Sequence, residues 1–454
     1  MSDTIAAIAT ASAVSAVGIV RLSGAEAFSA AEAVFRPKSG KPLSAIPART
    51  MVFGDVLDRA GRVIDQGLAV LFPAPNSYTG EDCAELHCHG SPVVLDECLR
   101  ALFAAGARQA TAGEFTRRAF LNGRMDLVQA EAVADLIDAL TPDAACHAAA
   151  QLSGTISRTV DAVYEDVLAL ISRFYAVVDY PDEDITPHTR AEMTALLEKS
   201  IDALEALGGT FSRGSIVRQG LPAVLLGKPN VGKSSLLNAL LGYDRAIVTA
   251  VAGTTRDTVA ETVRLNGLLL RLTDTAGIRT ADDEVERQGV ERSLAAAREA
   301  ELALLVLDGS APLTAEDERV AAAALAAPKH ITVLNKSDLP CRVDVAALRE
   351  RFGTVIPVSA ANGDGLDELC RAVTALYPAP SAPGTLLTNA RQYGAVQRAC
   401  EALKNASGAL AGGMTPDAAL TDAEEALSAL GEVNGRAVRE DVVSAIFSRF
   451  CVGK

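Results

Sequence analysis

The sequence contains no tryptophan, and aromatic residues make up only 4% of its 454 residues. No apolar run approaches the roughly 20 residues that a membrane-spanning helix requires. The first stretch, MSDTIAAIATASAV, lacks the basic start of a signal peptide. The eight cysteines are scattered without a Cys-x-x-Cys pair, which is typical of reduced thiols and unlike a disulfide framework. These absences predict a cytoplasmic protein that does not enter a membrane.

Acidic residues outnumber basic ones, and the formal net charge is −15 at pH 7. This charge argues against a protein whose whole surface grips nucleic acid, although a local basic patch is compatible with it. Apolar residues make up 49% of the chain, and alanine and leucine supply most of them, which favours helix-rich packing. The length predicts two or three domains.

The first part of the chain, residues 1–121, has a mixed α/β pattern. VGIVRLSG and DQGLAVLFP are predicted strands, and SPVVLDECLRALFAAG is a predicted helix that ends at Gly106. Residues 122–219 instead repeat apolar side chains at three- and four-residue spacing. That pattern predicts an all-helical segment, which the stretch DYPDEDITP interrupts.

Short apolar strands alternate with helices in residues 220–378, the pattern of a parallel sheet with crossover helices. The pair Asn266-Gly267 predicts a hairpin turn, hence one antiparallel edge. The Pro-rich stretch PAPSAPGT follows, and a helical pattern fills residues 379–454. Because these last helices would make a thin core alone, we interpret the α/β domain as an insertion into a discontinuous helical domain.

The stretch GKPNVGKS, residues 227–234, follows a predicted strand and opens a predicted helix. In this context glycines let backbone N–H groups surround phosphates at a helix N-terminus, and a plain glycine-rich turn is the alternative. Lys233 is expected to reach the β and γ phosphates, and Ser234 to bind Mg²⁺. The motif predicts a nucleotide-binding P-loop.

Three further motifs follow the P-loop in order. DTAG ends a predicted strand, where the carboxylate of Asp274 can order the water of the metal and Gly277 can sense the γ-phosphate. In NKSD, Asp338 can accept two hydrogen bonds from the N1–H and amino groups of guanine, which adenine cannot donate. The loop Ser359–Ala361 is expected against the base. The ordered set predicts GTP binding.

A polar residue is missing where Ras-like proteins carry a glutamine after DTAG, since that position is Ile278. Another group must therefore place the attacking water and neutralise the charge between the phosphates. The side-chain oxygen of Asn230 can bind a cation such as K⁺, although loop capping is the alternative role. The predicted ligands are Asn230, Thr249, Val251 and Thr254 for K⁺, and Ser234 and Thr255 for Mg²⁺.

The chain resembles one family from end to end, the MnmE (TrmE) family of tRNA-modifying GTPases. The resemblance rests on GKPNVGKSSLLNAL, AGTTRD, DTAGIR, DEVERQGVER and the ending FCVGK, with VGIVRLSG, SYTGEDCAELHCHG and GEFTRRAFLNGRMDL. It implies a multidomain α/β and all-α protein. Its parts would be a mixed α/β N-terminal domain that binds folate and forms a homodimer, a discontinuous helical domain, and an inserted Ras-like P-loop G domain. The expected ranges are 1–121, 122–219 with 379–454, and 220–378.

The resemblance also implies K⁺-dependent dimerisation of the G domains and a complex with the flavin enzyme MnmG. Together the two proteins would add a carboxymethylaminomethyl, or aminomethyl, group to carbon 5 of the wobble uridine of certain tRNAs. The implied cofactors are GTP, Mg²⁺, K⁺ and a formyl- or methylene-tetrahydrofolate that supplies a one-carbon unit. A ribosome-assembly or signalling GTPase switch, which shares AGTTRD and NKSD, is the alternative, and a purely structural role is a more distant one.

The expected GTP contacts fall on five stretches of the chain, of which the last two are NKSD and the loop Ser359–Ala361. They are Asn230, Val231, Gly232, Lys233, Ser234 and Ser235; Thr249, Ala250, Val251, Ala252, Gly253, Thr254 and Thr255; Asp274, Thr275, Ala276 and Gly277; and Asn335, Lys336, Asp338, Ser359, Ala360 and Ala361. Glu286 in DEVERQGVER is expected to orient the attacking water, because its carboxylate can accept the hydrogen bond that Ile278 cannot. An exposed acid at a helix start is the alternative for Glu286.

Carried over to this sequence, the folate contacts of the family fall on Arg21, Glu85, Arg124 and Lys454. A pterin ring suits a carboxylate at its guanidine-like edge, and the glutamyl tail suits cations. Each residue alone would otherwise be a solvated surface charge. Arg124 stands where many members carry lysine, which keeps the charge but changes the donor geometry. Residues 10–18, TASAVSAVG, depart from the Gly/Arg-rich turn of the family, so a substrate contact from that turn is not carried over.

The ending FCVGK is predicted to face the substrate. The preceding REDVVSAIFSRF is amphipathic and can dock a last helix, and Gly453 permits a turn that no side chain would allow. Cys451 is a predicted catalytic residue, because a thiolate there can attack the one-carbon unit or carbon 6 of the uridine if cations lower its pKa. The alternatives are a proton relay and a structural role as a small buried hydrophobe.

Two clusters carry no functional assignment at this point. His87, Cys88 and His89 do not predict a metal site, because adjacent residues on a strand point apart and no second ligand cluster exists at usual spacing. The arginines at 117, 118 and 124 can touch tRNA, but we interpret them mainly as a solvated basic face. Much of the grip on tRNA is then expected from the partner protein.

Overall fold

The computed structural model describes residues 3–11, 13–180, 186, 188–243, 260–274, 295–378 and 384–453. The chain divides into two units. The first comprises Met1–Ala134, Gln151–Leu204 and Ala395–Lys454, and the second comprises Asp135–Ala150 and Glu205–Gly394. Within the described ranges, no helix is both long enough and apolar enough to cross a membrane.

The first unit contains a seven-stranded sheet. Its strands are β1 Ile5–Ile8, β2 Ser15–Ser23, β3 Phe35–Pro37, β4 Val52–Leu57, β5 Val63–Phe72, β6 Cys83–Gly90 and β7 Arg108–Gln109. They lie in the order β3-β4-β5-β6-β2-β1-β7, and neighbours are antiparallel except for β1 and β7. The predicted strands VGIVRLSG and DQGLAVLFP are confirmed as β2 and β5.

Two helices, Ala27–Val34 and Pro92–Ala104, cover one face of this sheet and share its buried core. The second is the helix predicted to end at Gly106. Because successive side chains of a strand point to opposite faces, this core takes alternate residues and leaves those between them on the other face of the sheet, where Phe115 is buried with Ile5 and Ala7 of β1. Arg21 and Glu85 lie among the latter, directly opposite each other on β2 and β6.

The helical segments predicted on either side of the insertion meet in the first unit. Helices Thr155–Asp179 and Pro416–Asn434 pack together. Arg436 and the amide of Asn434 both donate to Asp161 Oδ1, at 3.0 and 2.7 Å. The predicted discontinuous helical domain is therefore confirmed. Further helices of the chain are Glu114–Leu121, Leu127–Ile137, Arg190–Gly208, Ala390–Ala411 and Glu440–Phe447.

The second unit contains a six-stranded sheet. Its strands are β8 Leu221–Leu226, β9 Ala260–Leu265, β10 Leu268–Asp274, β11 Leu302–Asp308, β12 Lys329–Asn335 and β13 Val355–Val358. The order is β13-β12-β11-β8-β10-β9, and the pairs are parallel except for β9 with β10. Asn266 and Gly267 join those two strands with φ angles of 46° and 88°, so the predicted hairpin and antiparallel edge are confirmed.

Helices accompany this second sheet, and buried apolar clusters lie against both of its faces. Leu225 and Leu304 belong to one cluster, whereas Leu226 and Leu305 belong to the other. Burial on both faces explains why these strands read as continuous apolar runs. The helices are Pro142–Leu152, Phe211–Gln219, Lys233–Tyr243, Ala315–Ala324, Val345–Phe352 and Leu366–Leu376. In such sheets ligands bind at the carboxyl ends of the strands.

Candidate nucleotide site and substrate face

The loop between β8 and the helix Lys233–Tyr243 has its shape fixed by close backbone contacts. Gly227 lies so near β11 that an added Cβ would be 2.5 Å from the carbonyl oxygen of Val306. Asn230 and Gly232 have φ angles of 62° and 98°, which glycine adopts readily and asparagine tolerates. The sequence GKPNVGKS thus forms the turn that a P-loop requires.

Lys233 lies at the start of that helix, with its ammonium group folded over the loop. Its Nζ donates to the carbonyl oxygens of Gly227 and Lys228, at 2.6 and 2.9 Å. Ser234 follows on the helix and is exposed. A cation beside a helix N-terminus attracts anions, because the helix dipole also favours negative charge there. The predicted phosphate-binding residues Lys233 and Ser234 therefore lie together at the start of one helix.

Lys228 is a residue of this loop that the sequence reasoning missed. Its ammonium donates to the Asp317 carboxylate at 2.7 Å and to the Thr314 hydroxyl at 3.3 Å. Burial alone would raise the pKa of Asp317, but hydrogen bonds from Lys228 and Thr314 outweigh it and lower that pKa. The capping box that starts the helix Ala315–Ala324 thus anchors the P-loop. The signal in the sequence is Thr-x-x-Asp at 314–317.

Asn335 links the P-loop to the loop after β13. Its side-chain Nδ2 donates to the Val231 carbonyl oxygen at 2.8 Å, and its Oδ1 accepts from the Ala360 N–H at 3.0 Å. The residue is buried, with 3% of its surface exposed. Asn335, the first residue of NKSD, therefore joins the P-loop to the loop Ser359–Ala361 through its side-chain amide.

Asp338 is oriented by the motif that the sequence placed against the base. The hydroxyl of Ser359 donates to Asp338 Oδ1 at 2.7 Å, and Ser359 is fully buried. The same hydroxyl accepts from the Asn362 N–H at 3.2 Å. A fixed carboxylate is the group that a guanine edge with two adjacent donors requires. The geometry of Asp338 and Ser359 fits the predicted base pocket.

Several predicted contacts lie outside the described residues. For Asp274 the structure describes only the backbone, at the end of β10. The others are Thr249, Ala250, Val251, Ala252, Gly253, Thr254, Thr255, Thr275, Ala276, Gly277, Ile278, Glu286 and Lys454. Of the predicted K⁺ ligands, the structure thus describes Asn230, and of the Mg²⁺ ligands Ser234.

A half-buried ion pair lies on the face of the N-terminal sheet opposite the helices Ala27–Val34 and Pro92–Ala104. Arg21 Nε donates to Glu85 Oε1 at 2.9 Å, and the side chains are 20% and 17% exposed. The Arg21 guanidinium lies 5.3 Å from the ring centre of Tyr78 and 5.9 Å from that of Phe115. Two predicted folate-binding residues are thus in contact, beside two aromatic rings that can border a flat heterocycle.

Arg124 lies beside the loop that carries Tyr78. An added Cβ on Gly80 of that loop would be 3.2 Å from Arg124 Cγ. The amide of Asn122 donates to the Thr79 carbonyl oxygen of the same loop, at 2.8 Å. Arg124 itself is exposed. Two of the predicted folate residues, Arg21 and Arg124, therefore adjoin one loop, and Glu85 is joined to it through Arg21.

The last residues of the chain dock on the N-terminal domain. Ala112 and Val452 form an antiparallel bridge. Gly453 has a φ of 100°, and an added Cβ would lie 2.3 Å from the Ile8 carbonyl oxygen at the end of β1. Cys451 is exposed. A frayed ending is excluded up to Gly453, and the amphipathic helix Glu440–Phe447 precedes the tail as predicted.

His87 and His89 approach two different acids on the sheet. His87 Nε2 lies 3.2 Å from Glu85 Oε2, and His89 Nδ1 lies 2.7 Å from Asp65 Oδ1. Cys88 points to the opposite face and is buried in the core. Across the described part of the chain, no group of three or more His, Cys, Asp and Glu side chains is placed to hold a metal ion.

The interpretation of a solvated arginine face is wrong for Arg118. This residue is buried, with 8% of its surface exposed. Its guanidinium donates to Glu81, Glu114 and Asp3, at 2.9, 3.0 and 2.9 Å. A desolvated cation needs such partners, so Arg118 ties the start of β1 to the helix that carries Phe115. Sequence position alone does not reveal this burial.

The fold and the loop geometry define a P-loop protein whose α/β nucleotide domain interrupts a helical domain. Family models described as "GTP-binding protein TrmE N-terminus" and "MnmE helical domain" match residues 4–124 and 127–451. "tRNA modification GTPase MnmE" of Symbiobacterium thermophilum is 44% identical over 100% of this chain and 99% of that protein. The protein of the same name from Roseiflexus sp. (strain RS-1) is 45% identical, with the same coverage.

Among solved structures, the FeoB G-domain from Methanococcus jannaschii aligns with 35% of this chain and 97% of that one. The two are 27% identical, with a TM-score of 0.26. The family models together span nearly the whole sequence, and the relatives align with it from end to end. The chain therefore belongs to the MnmE family.

Proposed function

We propose that this chain is a GTPase that acts in the modification of tRNA. The observation that carries the proposal is the Asn335 amide, which joins the P-loop to the Ser359–Ala361 loop beside a fixed Asp338. Relatives named tRNA modification GTPase MnmE, which align with the full chain, support it. The test is turnover by the purified chain. GTP is expected to be hydrolysed and ATP spared, and equal hydrolysis of both would contradict a guanine pocket.

In this proposal different described residues contact the phosphates, the metal ion and the base of the nucleotide. Lys233 and the N-terminus of its helix bind the phosphates, Ser234 ligates Mg²⁺, and Asp338 accepts from the guanine edge. Mg²⁺ would supply charge neutralisation at the phosphate oxygens. The remaining proposed GTP contacts are the residues named from the sequence in 230–235, 249–255, 274–277, 335–338 and 359–361, apart from Ser337.

Water placement without a glutamine is the second part of the proposal. Ile278 offers no polar atom, so we assign the attacking water to Glu286 and a K⁺ site to Asn230, Thr249, Val251 and Thr254. Glu286→Ala should lower turnover by about 10²-fold while GTP affinity stays nearly constant. Turnover should also require K⁺, and equal rates in Na⁺ and K⁺ at matched ionic strength would refute the ion site.

We assign the sheet face that carries Arg21 and Glu85 to a reduced folate. The Glu85 carboxylate suits the guanidine-like edge of a pterin, and Tyr78 and Phe115 can border its ring. Arg21 and Arg124, with Lys454, would hold the acidic tail. Equilibrium binding of tetrahydrofolate to the full chain tests this assignment. Glu85→Gln should weaken binding, whereas Asp96→Asn, which alters an exposed ion pair on a helix, should not.

Family membership supports a proposal for the finer biological role. We propose a cytoplasmic homodimer formed through residues 1–121 that works with MnmG on the wobble uridine, with a G domain at 220–378 inserted between helical segments 122–219 and 379–454. Exposed Cys451 would act on the one-carbon unit or the uridine. A ribosome-assembly switch would need GTP but no folate, so absence of folate binding in a chain that hydrolyses GTP would favour that alternative.

A further inference from the structure

Asp308 and Lys336 form an ion pair at the carboxyl edge of the second sheet. Asp308 ends β11, and its Cα partner on β12 is Asn335, the residue before Lys336. Lys336 Nζ donates to Asp308 Oδ2 at 2.6 Å. The side chain of Lys336 is 34% exposed and that of Asp308 is 14% exposed, so the carboxylate is more enclosed than the lysine.

The Asp308 carboxylate is held on both oxygens. Its Oδ1 accepts from the Ser310 N–H at 2.9 Å and from the Ser310 hydroxyl at 2.6 Å, while Oδ2 accepts from Lys336. Burial alone would raise the pKa of Asp308. Hydrogen bonds from Lys336 and Ser310 outweigh burial and lower that pKa. Asp308 is therefore an ionised group in a fixed position at neutral pH.

Lys336 is constrained at its backbone as well as at its ammonium. Its φ is 63°, in the left-handed region that a lysine rarely adopts. The residue before it, Asn335, is bonded to the P-loop, and Asp338 two residues later is bonded to Ser359. Because both the backbone and the ammonium group of Lys336 are held in place, the methylene groups between them have a fixed path. This path runs between Asn335 and Asp338, two residues of the predicted base pocket.

We propose that Asp308 is a positioning residue for guanine recognition. It holds Lys336 so that the stem of this lysine forms one wall of the base pocket, next to the Asp338 carboxylate. The inference rests on the proposed GTP site and adds a residue that contacts no nucleotide itself. Because the base is unchanged between substrate, transition state and product, this wall should contribute equally to the binding of GTP and GDP and not to the chemical step.

The test compares Asp308→Asn with Glu318→Gln in the full chain. Glu318 pairs with Arg351 at the surface of the same domain, so its variant also loses one ion pair. Asp308→Asn should weaken GTP and GDP binding by about 10-fold each, the effect expected for one lost charge-assisted hydrogen bond. The kcat should stay within about twofold. Glu318→Gln should leave both affinities unchanged.

A second readout separates positioning from mere stabilisation of the fold. The ratio of GTP to ITP affinity reports how well Asp338 meets the exocyclic amino group, which inosine lacks. Asp308→Asn should lower this ratio, and Asp308→Glu should restore part of it. Unchanged nucleotide affinities and an unchanged ratio, with only a lower thermal midpoint, would overturn the proposal.

A third variant keeps the test decisive if Asp308→Asn does not fold. Ser310→Ala retains both charges but removes one hydrogen bond to Asp308. It should weaken GTP and GDP binding together by a few-fold, and unchanged affinities would overturn the inference. A wild-type chain that binds no guanine nucleotide would instead refute the GTP site itself, so the two failures are distinguishable.

Discussion

The side-chain amide of Asn335 donates a hydrogen bond to the Val231 carbonyl oxygen across 104 residues of sequence. The side-chain oxygen of the same residue, Oδ1, accepts a hydrogen bond from the Ala360 N–H. One buried side chain thus sets the distance between the loop that would hold phosphates and the loop that would hold the base. The proposed guanine nucleotide site depends on the mutual placement of these two loops more than on any single contact.

Replacement of Asn335 by alanine should separate these loops. The variant leaves two backbone groups without their partner, the buried Val231 carbonyl oxygen and the Ala360 N–H. Each lost hydrogen bond should cost about 1–3 kcal/mol of free energy, so GDP affinity should fall by roughly 10²-fold. Equilibrium titration with a fluorescent GDP measures this. Asn434→Ala, which removes a buried asparagine bonded to Asp161, is the matched control and should lower the thermal midpoint while GDP affinity stays constant.

Gly232→Ala and Gly267→Ala form a matched pair of positive-φ glycines. Their φ angles are 98° and 88°, so alanine should cost about 1–2 kcal/mol of folding free energy at either position. At Gly232, however, the added Cβ would lie 2.2 Å from Asn335 Nδ2, whereas at Gly267 nothing lies within 4 Å. Nucleotide affinity should collapse in Gly232→Ala alone. Equal affinity in the two variants would show that the Asn335 link does not depend on this close approach.

The Arg118 network predicts acid sensitivity of the first unit. Burial alone would raise the pKa of Glu114, but hydrogen bonds from Arg108, Thr111 and Arg118 hold it at about 2. Because this pKa lies below the ordinary value of 4.5, the contribution of Glu114 to stability is present above about pH 4.5 and is lost as pH falls toward 2. Thermal midpoints should therefore decline below pH 5.

The variant Glu114→Gln isolates that contribution. It should be less stable than the wild type at pH 7, and its thermal midpoint should fall less steeply between pH 5 and pH 3. Glu440→Gln, which alters an exposed pair with Arg117, should follow the wild-type curve. Parallel curves for Glu114→Gln and the wild type would contradict the assigned pKa of Glu114.

The docked tail should matter for tRNA modification and not for GTP turnover. Cys451→Ser, deletion of residues 453–454, and Gly453→Ala should each abolish modification with GTP hydrolysis intact. In Gly453→Ala the reason is steric, since the Cβ would meet the Ile8 carbonyl oxygen at 2.3 Å. Gly413→Ala, at a φ of 83° with open space, is the control. Normal tRNA modification by both Cys451→Ser and the deletion variant would show that the tail has no functional role.

Local signals in the sequence predicted the second unit well. Asn266-Gly267 encodes its own turn, and GKPNVGKS encodes both a loop and the start of a helix, because each rests on neighbouring residues. The ion pair between Lys228 and Asp317 shows what such local signals do not predict. Their pairing depends on how β8 and the helix Ala315–Ala324 pack, which no short pattern records.

The first unit shows the same division. The alternation in VGIVRLSG gave β2 correctly, whereas the buried position of Arg118 depends on acids contributed by three separate segments. The family resemblance alone assigns Arg21 and Glu85 to folate, whereas their direct contact depends on the register between β2 and β6. Register between distant strands is set by the whole core, so charge patterns along one strand do not reveal it.

Mass spectrometry of wobble uridines in tRNA from cells that lack this chain tests its role in tRNA modification most directly. We expect loss of the carboxymethylaminomethyl or aminomethyl group at carbon 5, restored by the wild-type chain and not by Asn335→Ala. Fully modified wobble uridines in the absence of the chain would contradict this role.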